Sequence, residues 1–386
     1  MVNEKRILKQ FMKLVSFDSE SFSEKEIGEY LVWKLKSLGL LVNTKNTTGK
    51  EYLKNYPDSH PNIYAFLKGD LPGDPILFSA HMDTVVPGKD KEAVITEDGF
   101  IKSVSDTVLG ADDISGLVSI IEALSVIKEK KLSHPDIEIL FTVSEEPFCE
   151  GSRFLKYDLI KAKKGYVLDL TGSAGTAAIS APTILSFEAV IKGRSAHAGF
   201  APEEGINAIK AAADAISNIK TGRVDGYTTV NVGTIEGGSA RNIVPDLVKI
   251  TGEIRSLDHK KALDKSEEIK EIFDECCSKI KAKLVYKTVE HIRSYTVKKS
   301  DEVVKRFGKA CSHLGIETEY INTYGGSDAN RLNEAGIKTI VYSCGMENVH
   351  TTGEYVYIKD LIRSSQITLT LMTENNKAKD GGKTNG

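Results

Sequence analysis

Apolar positions recur at helical spacing over residues 4–16 and again over 23–38, where "SFSEKE" reads as a capping segment. After "NIYAFLKG" the run "DPILFSAHMD" reads as a buried strand that ends in two titratable groups, His81 and Asp83. Period-two spacing puts both on one side of that strand. From Gly110, "GADDISGLVSIIEALSVIKEK" passes from an acidic, glycine-flanked loop into a long helix. "DIEILFTVSEE" and "GYVLDLTG" read as two further strands, the first ending in acids. Apolar strands alternating with helices predict an α/β fold with a largely parallel sheet.

The middle of the chain changes rhythm. A strand over 183–193, a helical pattern over 204–219, two strands ("TTVNVGTIEGG" and "LVKITGEIRS"), a helix over 259–281 and a strand at "AKLVYKTVEH" follow in turn. That order is β-α-β-β-α-β, a ferredoxin-like pattern. The α/β rhythm resumes at "SDEVVKRFGKACSHLG" and "KTIVYSCG". The expected organisation is therefore a discontinuous outer domain, 1–182 and 293–376, with an inserted ferredoxin-like lid at 183–292. Residues 377–386, polar and rich in Gly and Lys, read as a disordered tail.

Composition narrows the class. An apolar share of 40% and a charged share of 27% are those of a soluble globular protein. A net charge of −3 without a long basic run excludes nucleic-acid binding through phosphate neutralisation. No stretch approaches a membrane span, and five cysteines without a CxxC argue against a disulfide framework. A cytoplasmic location is expected.

The acids and histidines then fall into a pattern. His81 and Asp83 end one strand, and Asp112 and Asp113 open a helix. Glu145 and Glu146 follow "ILFTVS", Asp169 ends "YVLD", and His350 follows "VYSCGMENV". Ligands of open α/β sheets bind outside the carboxyl ends of the strands, so these groups can converge on one crevice. Taken singly, each has a plainer explanation as a loop residue or a cap. Taken together, two histidines and several carboxylates without thiolates suit zinc, and also manganese or cobalt. His60, His134, His259, His291 and His313 lack such a context and are expected on the solvated surface. Cys149 and Cys344 are expected to be small packing residues.

The motifs "SAHMDTV", "GADDISG", "SEEP", "LD", "GRSAHAG" and "NVHTTGE", in this order over nearly the whole chain, resemble a known family. It is that of the co-catalytic dinuclear zinc peptidases and amidohydrolases, with peptidase T, carboxypeptidase G, aminoacylase and succinyl-diaminopimelate desuccinylase among its members. The resemblance implies two Zn2+ per chain, with Co2+ or Mn2+ as substitutes. It implies that His81 and Asp169 ligate one metal, that Glu146 and His350 ligate the other, and that Asp112 bridges them. It further implies Asp83 as the carboxylate that steadies His81, Glu145 as general base, and a cis peptide at Asp112–Asp113. In "GRSAHAG", His197 would reach the oxyanion, often from the partner subunit of a dimer. Arg241 and Asn242 in "GGSARNIVPD" suit a substrate carboxylate. Gly326, Ser327 and Asp328 in "YGGSDANR" match a family segment that borders the substrate pocket.

"GADD", "SEEPFCEGS" and "YGGSDANR" look most like the peptidase T-like tripeptidases. The activity so implied is release of the N-terminal residue from short peptides by a water that two zinc ions activate. Around the lid histidine, "GRSAHAGFAPEEGINAI" resembles the carboxypeptidase and aminoacylase branches instead. An N-acyl-amino-acid amidohydrolase, a carboxypeptidase or a dipeptidase therefore stays open. So does a silent peptide-binding protein, against which the presence of both Glu145 and Asp83 argues. The expected partner is a short peptide, and the lid's strand edge is compatible with a homodimer and equally with a monomer.

Overall fold

The structure is a computed structural model that describes residues 1–373, so the tail expected at 377–386 lies outside the described residues. The chain divides into two compact units. Among the described residues, the first comprises 1–179, 296–322 and 327–373, and the second comprises 180–295 with 323–326.

Strands in the first unit lie in the order Leu41–Asn43, Ile63–Leu67, Ile137–Thr142, Ile76–His81, Lys164–Leu170, Lys338–Ser343. The last four are mutually parallel, with His81 opposite Thr142. Every residue of Ile76–His81 and of Ile137–Thr142 is buried, so both segments are mainly apolar on both faces, and the buried Glu138 is satisfied by the amides of Lys161 and Ala162. Ile76–His81 sits between Ile137–Thr142, the next strand of this sheet along the chain, and Lys164–Leu170, so the winding of the sheet reverses there. Such a switch point opens a crevice at the strand ends, and it is His81 that ends the strand.

The helix Ala111–Lys130 lies against Ile76–His81 and Lys164–Leu170, and the helices Glu4–Val15 and Ile358–Thr373 pack upon it. It is buried at every position from Ala111 to Ile127, as befits a helix apolar on all sides. A separate four-stranded sheet unites Ala93–Ile95, Phe100–Ser103, Met346–Glu347 and Tyr355–Tyr357. It brings the region of His350 beside the segment that precedes Gly110.

The second unit is a five-stranded antiparallel sheet ordered Gly222–Arg223, Thr228–Gly237, Leu247–Ser256, Thr183–Lys192, Lys283–Ile292. Leu185, Phe187, Ala189 and Ile191 alternate inward and pack with Ala208, Ala212, Ile269 and Phe273 of the helices Ala208–Asn218 and His259–Lys279. The first of these helices starts later than the apolar spacing suggests. Asn207 caps it by accepting from the Lys210 amide, and residues 202–204 form a short 3-10 turn instead.

The opening of the helix Lys25–Ser37 departs from expectation more sharply. No side chain caps it. The Glu24 carboxylate at its N-cap turns away, towards Ser59 and Ser144.

Candidate metal centre

His81 closes its strand, whereas Asp83 lies two residues beyond, so the two do not share a strand face as the spacing suggests. The backbone keeps its partner for one more residue, the Met82 amide donating to the Thr142 carbonyl, and then turns. The His81 ring presents Nε2 at 3.0 Å from Asp112 Oδ1 and 3.9 Å from Asp169 Oδ1. Its other nitrogen, Nδ1, lies 2.9 Å from the main-chain oxygen of Asp83 and 3.4 Å from the carboxylate. A ring nitrogen paired with a carbonyl oxygen is a donor, which leaves Nε2 as the lone pair aimed at the acids.

Gly110, at φ +74°, turns the chain into the helix, and Asp112 and Asp113 depart from helical dihedrals before its regular part begins. The Asp112–Asp113 peptide is cis. The Asp113 carboxylate faces inward, accepting from the His81 amide at 3.2 Å and the Gly116 amide at 3.0 Å. Asp112 faces the other way. Its Oδ2 lies 3.2 Å from His350 Nε2, and that nitrogen lies 2.9 Å from Glu146 Oε2.

Two groups of donors result, His81, Asp112 and Asp169 in one and Asp112, Glu146 and His350 in the other, with Asp112 in both. Within each group the ligand atoms all lie within 4.8 Å of one another. The arrangement fits a pair of cations on three counts. Asp112, Glu146 and Asp169 make ion pairs only with histidines among the described residues. Burial pushes the Glu146 carboxyl up, and the Asp169 carboxyl well up, from the ordinary carboxylate range, the mark of negative charge short of compensation. The buried Oε1 of Glu146 has no hydrogen-bond partner. Imidazole and carboxylate donors without thiolates suit zinc, cobalt or manganese.

Glu145 is buried beside this cluster, and burial, opposed by His81 and reinforced by Asp328 and Glu146, pushes its carboxyl well up. Its main chain is clamped. Asp83 Oδ1 accepts from the Glu145 amide at 2.9 Å, and Oδ2 accepts from the Glu146 amide at 3.2 Å and the Ser21 hydroxyl at 2.8 Å. The Asp83 carboxylate thus steadies the glutamate pair directly. The Cys149 thiol, held neutral by burial, donates to Glu145 Oε1 at 3.3 Å. At Gly151 a Cβ would meet the Val143 carbonyl oxygen at 1.9 Å, so only glycine lets the chain fold back here against the strand end.

The structure separates the pocket candidates. The Ser327 hydroxyl oxygen caps the helix Asp328–Glu334 by accepting from the Ala329 amide, with Asn330 completing the capping box. Asp328 is buried and accepts from Thr142 Oγ1. Gly326 belongs to the second unit and packs so tightly on Ile292 that a Cβ would come within 2.0 Å of its side chain. Also in the second unit, His197, Arg241 and Asn242 share one ledge: the Ala198 amide donates to the Asn242 carbonyl at 3.0 Å, and His197 bridges to Ile243. His197 Nδ1 accepts from the amides of Gly199 and Phe200, both at 3.1 Å, which assigns the ring proton to Nε2.

The expectation of solvated surface positions fails at His60, His134 and His291, the first two buried and the third half-buried. His60 and His134 are buried rather than solvated, each with Nδ1 2.7 Å from the carbonyl of the proline that follows it. His291 likewise pairs with Ser186 Oγ at 2.8 Å. Two residues of the site were not assigned from sequence. Glu354 accepts from the amides of Gly110 at 2.7 Å and Asp112 at 2.9 Å, fixing the loop that carries the carboxylate common to both donor groups. Its place in "NVHTTGE" was the available signal. Glu24 is the second, and its reading as part of a helix cap concealed it.

The Peptidase dimerisation domain family matches residues 179–281, and Peptidase family M28 matches residues 62–228. An uncharacterized protein of Bacillus subtilis, YqjE, is 37% identical over 377 residues, which are 97% of this chain and 99% of the relative. A tripeptidase from Staphylococcus aureus superposes with a TM-score of 0.93 at 34% identity, over 97% of this chain and 98% of that one. The aminopeptidase PepT from Bacillus cereus gives 0.90 at 36% identity, over 96% and 98%. The chain belongs to the dinuclear metallopeptidases of the peptidase T kind.

Proposed function

We propose that this protein is a metal-dependent aminopeptidase that removes the N-terminal residue from short peptides, tripeptides foremost. The observation that carries the reading is the pair of donor groups sharing Asp112, with a clamped and buried Glu145 next to Glu146. His81 and Asp169 would hold one zinc-type ion, Glu146 and His350 the other, and Asp112 both, with cobalt or manganese as substitutes. Bound there, the two ions polarise the scissile carbonyl and lower the pKa of a water towards neutrality.

The remaining work falls to the chain. Glu145 takes a proton from the attacking water and delivers it to the leaving nitrogen, a role that its buried position beside the donor groups suits. His197, with its proton on Nε2, is a donor for the oxyanion. Arg241 and Asn242 on the same ledge receive the peptide's carboxylate. His197→Ala is then expected to lower kcat on a tripeptide while metal content stays at the wild-type level. Loss of metal would place His197 among the ligands instead.

We also propose a homodimer through the second unit. Strand Thr228–Gly237 pairs on its outer edge with residues 222–224 through Thr228, Thr229 and Val230, so among the described residues its stretch beyond Val230 has no strand neighbour on that edge. A cytoplasmic location is supported by five cysteines that are all free and buried. Among the described residues no helix is long and apolar enough to cross a membrane.

The test is digestion of tripeptides, dipeptides and N-acyl amino acids, with and without a chelator, alongside elemental analysis. Release of the N-terminal residue from tripeptides, chelator-sensitive and with about two divalent ions per chain, is the expected result. Saturation at one ion contradicts the sharing of Asp112, and failure to cleave any amide with the ions bound sinks the enzyme reading.

A further inference from the structure

The segment from Ser19 to Glu24 is threaded beneath both loops that carry the catalytic groups. The Thr84 amide donates to the Ser19 carbonyl at 2.8 Å, the Ser21 amide donates to the Thr84 carbonyl at 3.2 Å, and the Ser21 hydroxyl reaches Asp83. Glu24 continues the pattern into the second loop. Fully buried, it collects on Oε1 the amide of Phe22 at 2.9 Å, the amide of Ser144 at 2.9 Å and the hydroxyl of Ser144 at 2.8 Å. Its Oε2 accepts from the Ser59 hydroxyl at 2.5 Å. Tyr52 closes the network, its hydroxyl 2.6 Å from Ser144 Oγ and 3.1 Å from Ser59 Oγ.

The two amides that converge on Oε1 belong to residues in the left-handed region, Phe22 at φ 71° and Ser144 at φ 46°. A side chain other than glycine takes that conformation only where its surroundings hold it there. Ser144 immediately precedes Glu145, so its dihedrals set the direction in which the glutamate pair leaves the strand. Asp83 then fixes the next two amides in sequence, those of Glu145 and Glu146.

We propose that Glu24 is a positioning residue for the general base: by holding Ser144 in its left-handed turn, it aims Glu145 without touching substrate or metal ligands. The role rests on the reading of Glu145 as base. It needs acceptors in the right places rather than charge. In Glu24→Gln the amide oxygen keeps the three contacts of Oε1, while the amide nitrogen donates to Ser59 Oγ, a hydroxyl able to reverse its role.

The test compares Glu24→Ala and Glu24→Gln with the full-length, metal-loaded wild type. Three readouts are needed: tripeptide kinetics, ion content, and hydrogen exchange of peptides spanning 141–153 in the metal-free protein. Glu24→Ala is expected to lower kcat by about 10–100-fold with KM and ion content nearly unchanged, as for residues that orient a metal site from outside. It should also speed exchange over 141–153 while leaving the second unit's exchange as in wild type. Glu24→Gln should restore both properties to near the wild-type level. Wild-type kcat and exchange in Glu24→Ala overturn the proposal, and so does a Gln variant as impaired as the Ala variant. Should the wild type cleave no peptide, the reading of Glu145 as base fails, and the exchange data still decide whether Glu24 holds the turn.

Discussion

Glu145→Ala is expected to lower kcat on a tripeptide by roughly 10²–10⁴-fold, the usual worth of a positioned proton carrier, with metal content at the wild-type level. The two halves of that expectation have separate grounds. Glu145 belongs to neither donor group, so its removal leaves the five proposed ligands where they are. The backbone course also survives, because Asp83 holds the amides of residues 145 and 146 rather than their side chains. What goes is the only proposed carrier between the water and the leaving nitrogen. Glu145→Gln sharpens the test by preserving size and the contact with Cys149 while abolishing basicity. Steady-state kinetics with elemental analysis of the same preparation checks both halves, and near-normal turnover in either variant refutes the assignment.

Asp83→Ala is expected to damage the site more broadly. Asp83 is fully buried, and both its oxygens accept from main-chain N–H groups. Truncation strands the amides of Glu145 and Glu146 away from water, each at a cost of about 1–3 kcal/mol. The Ser21 hydroxyl loses its acceptor as well. Both kcat and metal affinity should fall, by about 10–100-fold, because Glu146 is a proposed ligand on the same clamp. Asn does not rescue this position. It offers an oxygen to one amide and an NH2 group to the other, a donor facing a donor. The contrast with Glu24, where Gln is expected to suffice, follows from the presence there of a reversible hydroxyl at Ser59. Thermal unfolding of the metal-free variants and metal titration measure the two effects. A stable Asp83→Asn protein with full metal affinity would show that the clamp is dispensable.

Much of this architecture was legible because its signals are local. The buried runs at 76–81 and 137–142, the period-two alternation of 183–192 and the ordered motifs at strand ends can each be read within ten residues. What escaped depends on partners far along the chain. "SFSEKE" has the composition of a cap, yet Glu24 serves Ser144, 120 positions away. His60 and His134 are polar by type, and only the fold decides that each is buried against its proline's carbonyl. Glu354 lay inside a recognised motif, but its task, fixing the Gly110 and Asp112 amides, spans more than 240 positions. For Asp83, strand periodicity pointed to His81 alone, because the turn after Met82 that aims its carboxylate at Glu145 and Glu146 is set by tertiary pairing.

The distribution of the donor groups along the chain has a temporal consequence. His81, Asp112, Glu146 and Asp169 are all synthesised before the second unit, whereas His350 follows it, beyond the last parallel strand at Lys338–Ser343. On the ribosome, the first group of donors is complete once residue 169 has emerged, but the second waits for nearly the whole chain. The inner strand Lys164–Leu170 likewise lacks its neighbour Lys338–Ser343 until then, and pairings across such a separation form late. The second unit, with a core of its own, can fold during that interval. The second group of donors can therefore assemble only after the second unit has been synthesised, whereas the first does not depend on it.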